Sequence, residues 1–299
     1  MLRHLPLITF ILSVQFSFAQ RAFEHSDTLN KKRFVGVTTG IGTLWAVSMI
    51  GLSQIWYKDI PKSKFHTFDD SKNWLQMDKL GHYYASYKIN KLTTEIIRWS
   101  GFDNEKSVWI GTGISLGYQT TFELLDGYSE DWGFSWSDLA ANTLGSISYL
   151  GQQLAWNEER IIPKFSFAPT EFSSERPELL GSNFNESLLK DYNGQTYWLS
   201  FSPGAFLKNS NIPKWACLSI GYSAHEKLVG DKESYLSPIS GKEYFEKREF
   251  LLSLDIDFSR LPIKKGWLKV IVSQLNYLKI PFPALLIRGD KLLGSWTGY

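Results

Sequence analysis

Residues 78–82 read DKLGH, and two later stretches answer them: FELLDG at 122–127 and SDLAANTLG at 137–145. In each stretch ionisable or amide side chains recur one helical turn apart: Asp78 with His82, Glu123 with Asp126, Asp138 with Asn142. That spacing puts each pair on one face of a helix. Three helices that each aim such a pair inward build one shared polar cluster, with Lys79 a quarter-turn from Asp78. Charges in apolar surroundings are costly unless paired, so these residues mark the place where a site is expected.

Working outward, the helical character extends through the first half of the chain. A helix is expected from about Trp74 to Trp99, stopped by Gly101. A second runs from about Glu105 to Leu125 and carries Gly111, Gly113 and Gly117, which weaken a lone helix and argue for close backbone packing. Ser135 or Ser137 caps another, reaching about Trp156. Before them, residues 34–57 carry no charge and follow Lys31, Lys32 and Arg33. Their length suits a bilayer span, Trp56 and Tyr57 fall where an interfacial belt would be, and Thr and Ser side chains dilute the hydrophobicity. Such a helix either spans, rests on a membrane, or is core.

The extreme N-terminus reads as an export signal. Arg3 and His4 precede the apolar run 5–18, and Ser17 and Ala19 predict cleavage before Gln20. With Cys217 as the sole cysteine, neither a disulfide framework nor a lipid anchor near that point is expected, and Cys217 reads as a small buried side chain. A net charge of +2 gives no reason to expect nucleic acid. Aromatic residues make up 15% of the chain, including 12 Trp, which suits a membrane interface and an aromatic core equally.

After about Glu159 the pattern changes. Residues 160–193, with Pro163, Pro169 and Pro177, read as a linker or wrapping loop. Strand periodicity follows in QTYWLSFS, in Ala216 to Tyr222 and in REFLLSLDIDFSR, where Phe250, Leu252, Leu254, Ile256 and Phe258 alternate with Leu251, Ser253, Asp255 and Asp257. The C-terminal residues add one or two strands, Leu268 to Leu278 reads as a short helix, and four or five strands are too few for a closed membrane barrel. The fold class is therefore α+β, an N-terminal helical bundle followed by a small antiparallel β region. The expected division is a signal peptide 1–19, a helical domain 20–160, a linker 161–193 and a β region 194–299.

The candidate site comprises Asp78, Lys79, His82, Glu123, Asp126, Asp138 and Asn142. A carboxylate near an imidazole fixes its tautomer and raises its basicity, which is the arrangement of a general base or a metal ligand. The same residues serve equally as an ion network that fixes helix packing. One Glu, one Asp and one His offer ligands to a divalent ion, but no HExxH or other specific metal motif occurs, so metal and cofactor stay open. No GxSxG, Walker loop or dinucleotide fingerprint occurs either. Glu130, Asp131, His66 and His225 read as loop or surface residues.

DKLGHYYASY, GYQTTFELLDGY and SWSDLAANTLG together resemble the YfiM-like family of predicted periplasmic lipoproteins, a domain of unknown function, over residues 30–160. The later SLDIDFSRLP and LNYLKIPFPALLI look like a C-terminal extension seen in Bacteroidetes-type members. DKxxH, an acidic pair and DxxxN followed by Gly are also similar to VanZ-like membrane proteins. The first resemblance implies an envelope location and a helical core, not an activity, and this chain lacks the lipobox cysteine. Two functions follow as expectations. One is an exported, membrane-associated envelope protein whose cluster is structural and whose β region meets a membrane lipid or an envelope protein. The other is an envelope hydrolase or transferase acting on a lipid or cell-wall precursor, with His82 as base, Asp78 orienting it, and Glu123 and Asp138 as acid or metal ligands.

Overall fold

The structure, a computed structural model, describes residues 26–53, 61–207 and 209–298. The expected signal peptide and its cleavage point lie outside them, as do Trp56 and Tyr57. Helix α1 (Lys31–Leu52) is capped by Asn30, whose side chain accepts from the Arg33 amide. Among the described residues it is the one helix long and apolar enough to cross a membrane, and almost none of it is buried, so it is not a core helix. It meets the rest of the protein where Arg33 stacks 4.4 Å over the Trp99 ring, Phe34 packs on Phe102 and Trp45 meets Tyr118 edge-on.

Helices α2 (Met77–Trp99), α3 (Asn104–Asp126) and α4 (Trp136–Trp156) pack on one another. Asp103 caps α3 by accepting from the Lys106 amide, and Ser135 caps α4 by accepting from the Asp138 amide. The expected start of α2 at Trp74 shifts to Met77. Trp74, Leu75 and Gln76 all adopt positive φ, a left-handed turn costing about 1–2 kcal/mol per non-glycine residue. The turn buries Leu75 and Met77 against Ala224 of the β region and lays Trp74 on Tyr192.

The space between the three helices is largely polar. Ser86 hydrogen-bonds Ser146 at 2.7 Å and Ser115 at 3.1 Å, and Asn90 donates to Thr112. Such small side chains let the backbones close in. A Cβ at Gly111 would stand 2.3 Å from Thr94 Oγ1, and one at Gly145 would stand 2.2 Å from the Tyr83 carbonyl oxygen. Gly113, by contrast, faces open space.

The stretch read as a linker holds structure of its own. Strand β1 (Ile161–Phe167) opens a sheet, and Pro163 is tolerated because β1 is an edge strand. Three short helices follow, α5 (Phe172–Glu175), α6 (Pro177–Leu180) and α7 (Phe184–Lys190). Then come β2 (Gln195–Phe201), a turn of helix α8 (Pro203–Phe206), β3 (Ala216–His225), a small hairpin of β4 (Ser234–Leu236) and β5 (Glu243–Phe245), and β6 (Lys247–Ile256). Helix α9 (Gly266–Ser273), extended by a 3-10 turn to Tyr277, takes the place expected for a short helix. Strands β7 (Ala284–Arg288) and β8 (Lys291–Ser295) finish an antiparallel six-stranded sheet of order β1-β2-β3-β6-β7-β8, larger than the four or five strands expected.

The alternation read in β6 is present, but the buried face is the polar one. Glu249, Ser253 and Asp255 point inward with Leu251, while Phe250, Leu252 and Leu254 are exposed. Lys164 of β1 pairs with Asp255 at 2.9 Å, both side chains fully enclosed, and Ser200 donates to the same carboxylate. Trp198, Leu251, Ala284 and Leu286 give this inner face its apolar component.

Candidate functional site

The first turn of α2 aims Asp78, Lys79 and His82 at the last turns of α3 and the first turns of α4. Lys79 Nζ lies 2.7 Å from Asp138 Oδ1, 3.0 Å from Asp78 Oδ2 and 2.7 Å from Asp70 Oδ2. His82 sits in the middle. Its Nδ1 is 3.2 Å from Asn142 Oδ1 and 3.3 Å from Glu123 Oε1, and its Nε2 is 3.7 Å from both Asp78 and Asp138. Asn142 in turn donates to Glu123 Oε1 and accepts from Gln119 Nε2 at 2.7 Å. This answers why an asparagine stands mid-helix, where its amide competes with the backbone: both ends of the amide are used.

Six of the seven residues singled out from the sequence thus meet directly. Asp126 is buried one turn beyond Glu123, and its charge acts on Glu123. Glu130 and Asp131 are exposed, as a loop reading requires. His66 is half-buried, with Nε2 3.1 Å from the Trp132 carbonyl. His225 is not a turn residue. It ends β3, half-buried, with its ring against Phe172.

Three partners were not evident in the sequence. Asp70, in the connection before α2, accepts from Ser135 and Ser137 while holding Lys79. Tyr192, at the entry to β2, donates to Asp78 Oδ1 at 2.9 Å. Gln119 lies one turn before Glu123 on the same face of α3, a spacing that could have revealed it. A second ion group lies further along α2: Lys91 pairs with Glu159, which also accepts from Tyr87, and buried Lys88 donates to the Asn276 carbonyl between tyrosine rings. Lys88 and Lys91 continue the α2 face that carries Tyr84 and Tyr87, and a lysine pair inside that apolar stripe was the available signal.

The electrostatics follow from the crowding. Burial pushes Glu123 up to about 8, and Asp138, Asp126 and Asp78 add to it against the pull of His82. Burial and Asp78 raise Asp138 to about 6, opposed by His82 and Lys79. For His82, burial works to discharge the ring, but Asp78, Asp138 and Glu123 outweigh it and its pKa rises. Asp78 goes the other way: burial is overcome by His82 and Lys79, which keep it ionised. Glu123 Oε2 is buried without a hydrogen-bond partner.

Asp78, His82 and Asp138 present ligand atoms within 4.8 Å of one another, close enough to grip one cation. Lys79 bears on that reading. Its ammonium already touches Asp138 Oδ1 and Asp78 Oδ2, so a metal ion there would have to share or displace it.

Residues 67–152 match the model of a family described as predicted periplasmic lipoprotein (DUF2279). Over that segment the helical core is similar to the DUF2279 family. The match encloses Asp70, Gln119 and all seven residues singled out from the sequence, and leaves out Tyr192 and the sheet. No curated protein and no solved structure matches the chain. That description supports an exported location in the cell envelope, and the apolar α1 agrees with membrane association.

Proposed function

We propose that this is a non-enzymatic envelope protein in which the DUF2279 cluster locks the helices and the β region into one unit, leaving outer surfaces to meet a membrane or a partner. The observation that carries this reading is the completeness of the pairing around Asp78 and Asp70. Asp78 Oδ1 accepts from Tyr192 and Oδ2 meets Lys79. Asp70 uses one oxygen for Ser135 and Ser137 and the other for Lys79. Four segments of chain converge on one ammonium and one imidazole, and Tyr192 brings a fifth to Asp78. Such a group has little free capacity for a substrate, and it fixes a unique arrangement even where its net stabilisation is small.

A second reading rests on a different observation. The His82 and Asp78 side chains remain 17% and 26% exposed, so water reaches the pair. As a hydrolase or transferase site acting on a lipid or wall precursor, His82 with its raised pKa would donate a proton, the reverse of the base role expected from sequence, and ionised Asp78 would accept one.

His82→Ala and Glu123→Ala separate the two. Locking predicts that both variants unfold at lower denaturant and that any envelope defect in cells tracks the lost folded protein. Retained stability with a lost envelope phenotype would replace the locking function with the acid–base one, since sites often trade stability for activity.

A further inference from the structure

The outer surface of the sheet carries a continuous row of exposed apolar side chains. Leu199, Ile220, Leu252 and Leu285 stand directly opposite one another across β2, β3, β6 and β7. Their exposures are 43%, 54%, 42% and 55%. Leu218 and Leu254 form a second pair beside this row. Single exposed leucines are ordinary, but a row continuous over four strands is a surface that has a partner. Behind it the polar groups are sequestered: Ser200, Ser219, Asp255 and Lys164 are all buried. Polar side chains inward and apolar ones outward is the alternation of strands that face lipid.

We propose that this face lies against the hydrocarbon of a lipid bilayer. The outward positions within the row and its neighbouring pair carry no charge, and the nearest charged outward side chain, Arg248, stands at the margin, hydrogen-bonded to Gln76. Hydrocarbon is the occupant that matches such a face, because it asks for no polar complement. The same chain carries α1, bilayer-long and exposed, in an envelope protein. The sheet rests on the bilayer rather than crossing it. The outer edge of β8 pairs with no strand among the described residues, and hydrocarbon cannot satisfy unpaired backbone groups.

The test uses the exported full-length protein in vesicles of phosphatidylethanolamine and phosphatidylglycerol. Cysteines are introduced singly as Leu252→Cys and Leu285→Cys, with Lys242→Cys as a water-exposed control, and each is coupled to a nitroxide. Cys217 is buried, so the unmodified chain gives the labelling blank. Oxygen dissolves in acyl chains and a neutral nickel complex stays in water. The expected result is a severalfold higher oxygen-to-nickel accessibility ratio at Leu252 and Leu285 than at Lys242. Equal ratios at all three positions overturn the proposal and leave the face to a soluble protein. Spin–spin broadening between labels at Leu252 overturns it in favour of a second copy of the chain. Two independent surface positions keep the test decisive if one variant misfolds.

Discussion

Tyr192 donates its hydroxyl to Asp78 Oδ1 at 2.9 Å, across 114 residues of sequence. The bond joins the entry of the sheet to the first turn of α2, and Trp74 packing on Tyr192 seals it from one side. Tyr192→Phe removes the hydroxyl and keeps the ring. A hydrogen bond to a charged group contributes about 1.5–3 kcal/mol, so the variant should unfold at lower urea by about that amount. Paired tryptophan fluorescence and circular dichroism melts check this. An unchanged midpoint would show that the link between the two parts lies elsewhere.

Lys79 is the cation shared by Asp70, Asp78 and Asp138. Lys79→Met keeps most of the volume and leaves three carboxylates without their common charge. Removing one partner of a buried ion network costs about 3–5 kcal/mol, much of it the penalty of the orphaned charges. The loss should shrink when Asp138→Asn is added, because fewer charges are then stranded. A double-mutant cycle by equilibrium denaturation measures this coupling, and strict additivity would mean that Lys79 and Asp138 do not act as a pair.

How legible all this is in the sequence depends on the range of the signal. Asp78 with His82 and Asp138 with Asn142 are local spacings on helices, and the helices announce themselves through Ser135 and Gly101. Those readings need only the period of a helix. Asp70 and Tyr192 sit in irregular chain, where no period exists, and only tertiary folding brings them in. The start of α2 falls later than the sequence pattern suggests because three left-handed residues at Trp74 to Gln76 are stabilised by contacts with Tyr192 and Ala224, far along the chain. In β6 the alternation separated two faces without telling which one faces inward. The usual assumption buries the apolar face, and here Lys164 and Asp255 take the inside together. Strand β1 was hidden by Pro163, which reads as a breaker unless its strand is known to be an edge.

Gly145 reports on helix contact. A Cβ there would stand 2.2 Å from the Tyr83 carbonyl oxygen, which is backbone and cannot rotate away. Gly145→Ala must therefore push α2 and α4 apart, next to Asn142 and Ser146. Overpacking of this kind costs about 1–3 kcal/mol, more than the helix propensity gained over glycine returns. Gly113→Ala, at a position open to solvent, should instead be neutral or slightly stabilising. Thermal melts of the two variants in the same detergent test the contrast. Equal effects would contradict the close approach at Gly145.

The cluster also sets a pH dependence with a definite sign. Folded Glu123 is raised from 4.5 to about 8, so between these values the folded state holds a proton that the unfolded chain has released. Rising pH through that window favours unfolding. His82 acts in the same direction: its stabilisation is complete below 6.5 and is lost as pH climbs through its raised folded value. Asp70 and Asp78 are lowered from 3.8, and their stabilisation is present above that value and lost only as pH falls through their folded values. The cluster's own contribution should therefore be largest in mildly acidic solution and decline from about pH 5 to 8, against the opposite pull of His225, which is lowered to about 4. Glu123→Gln keeps the hydrogen-bonding shape and removes the titrating proton, so its decline over the same range should be shallower. Urea midpoints at several pH values measure both curves. Parallel slopes for the two proteins would place the titrating proton on another residue.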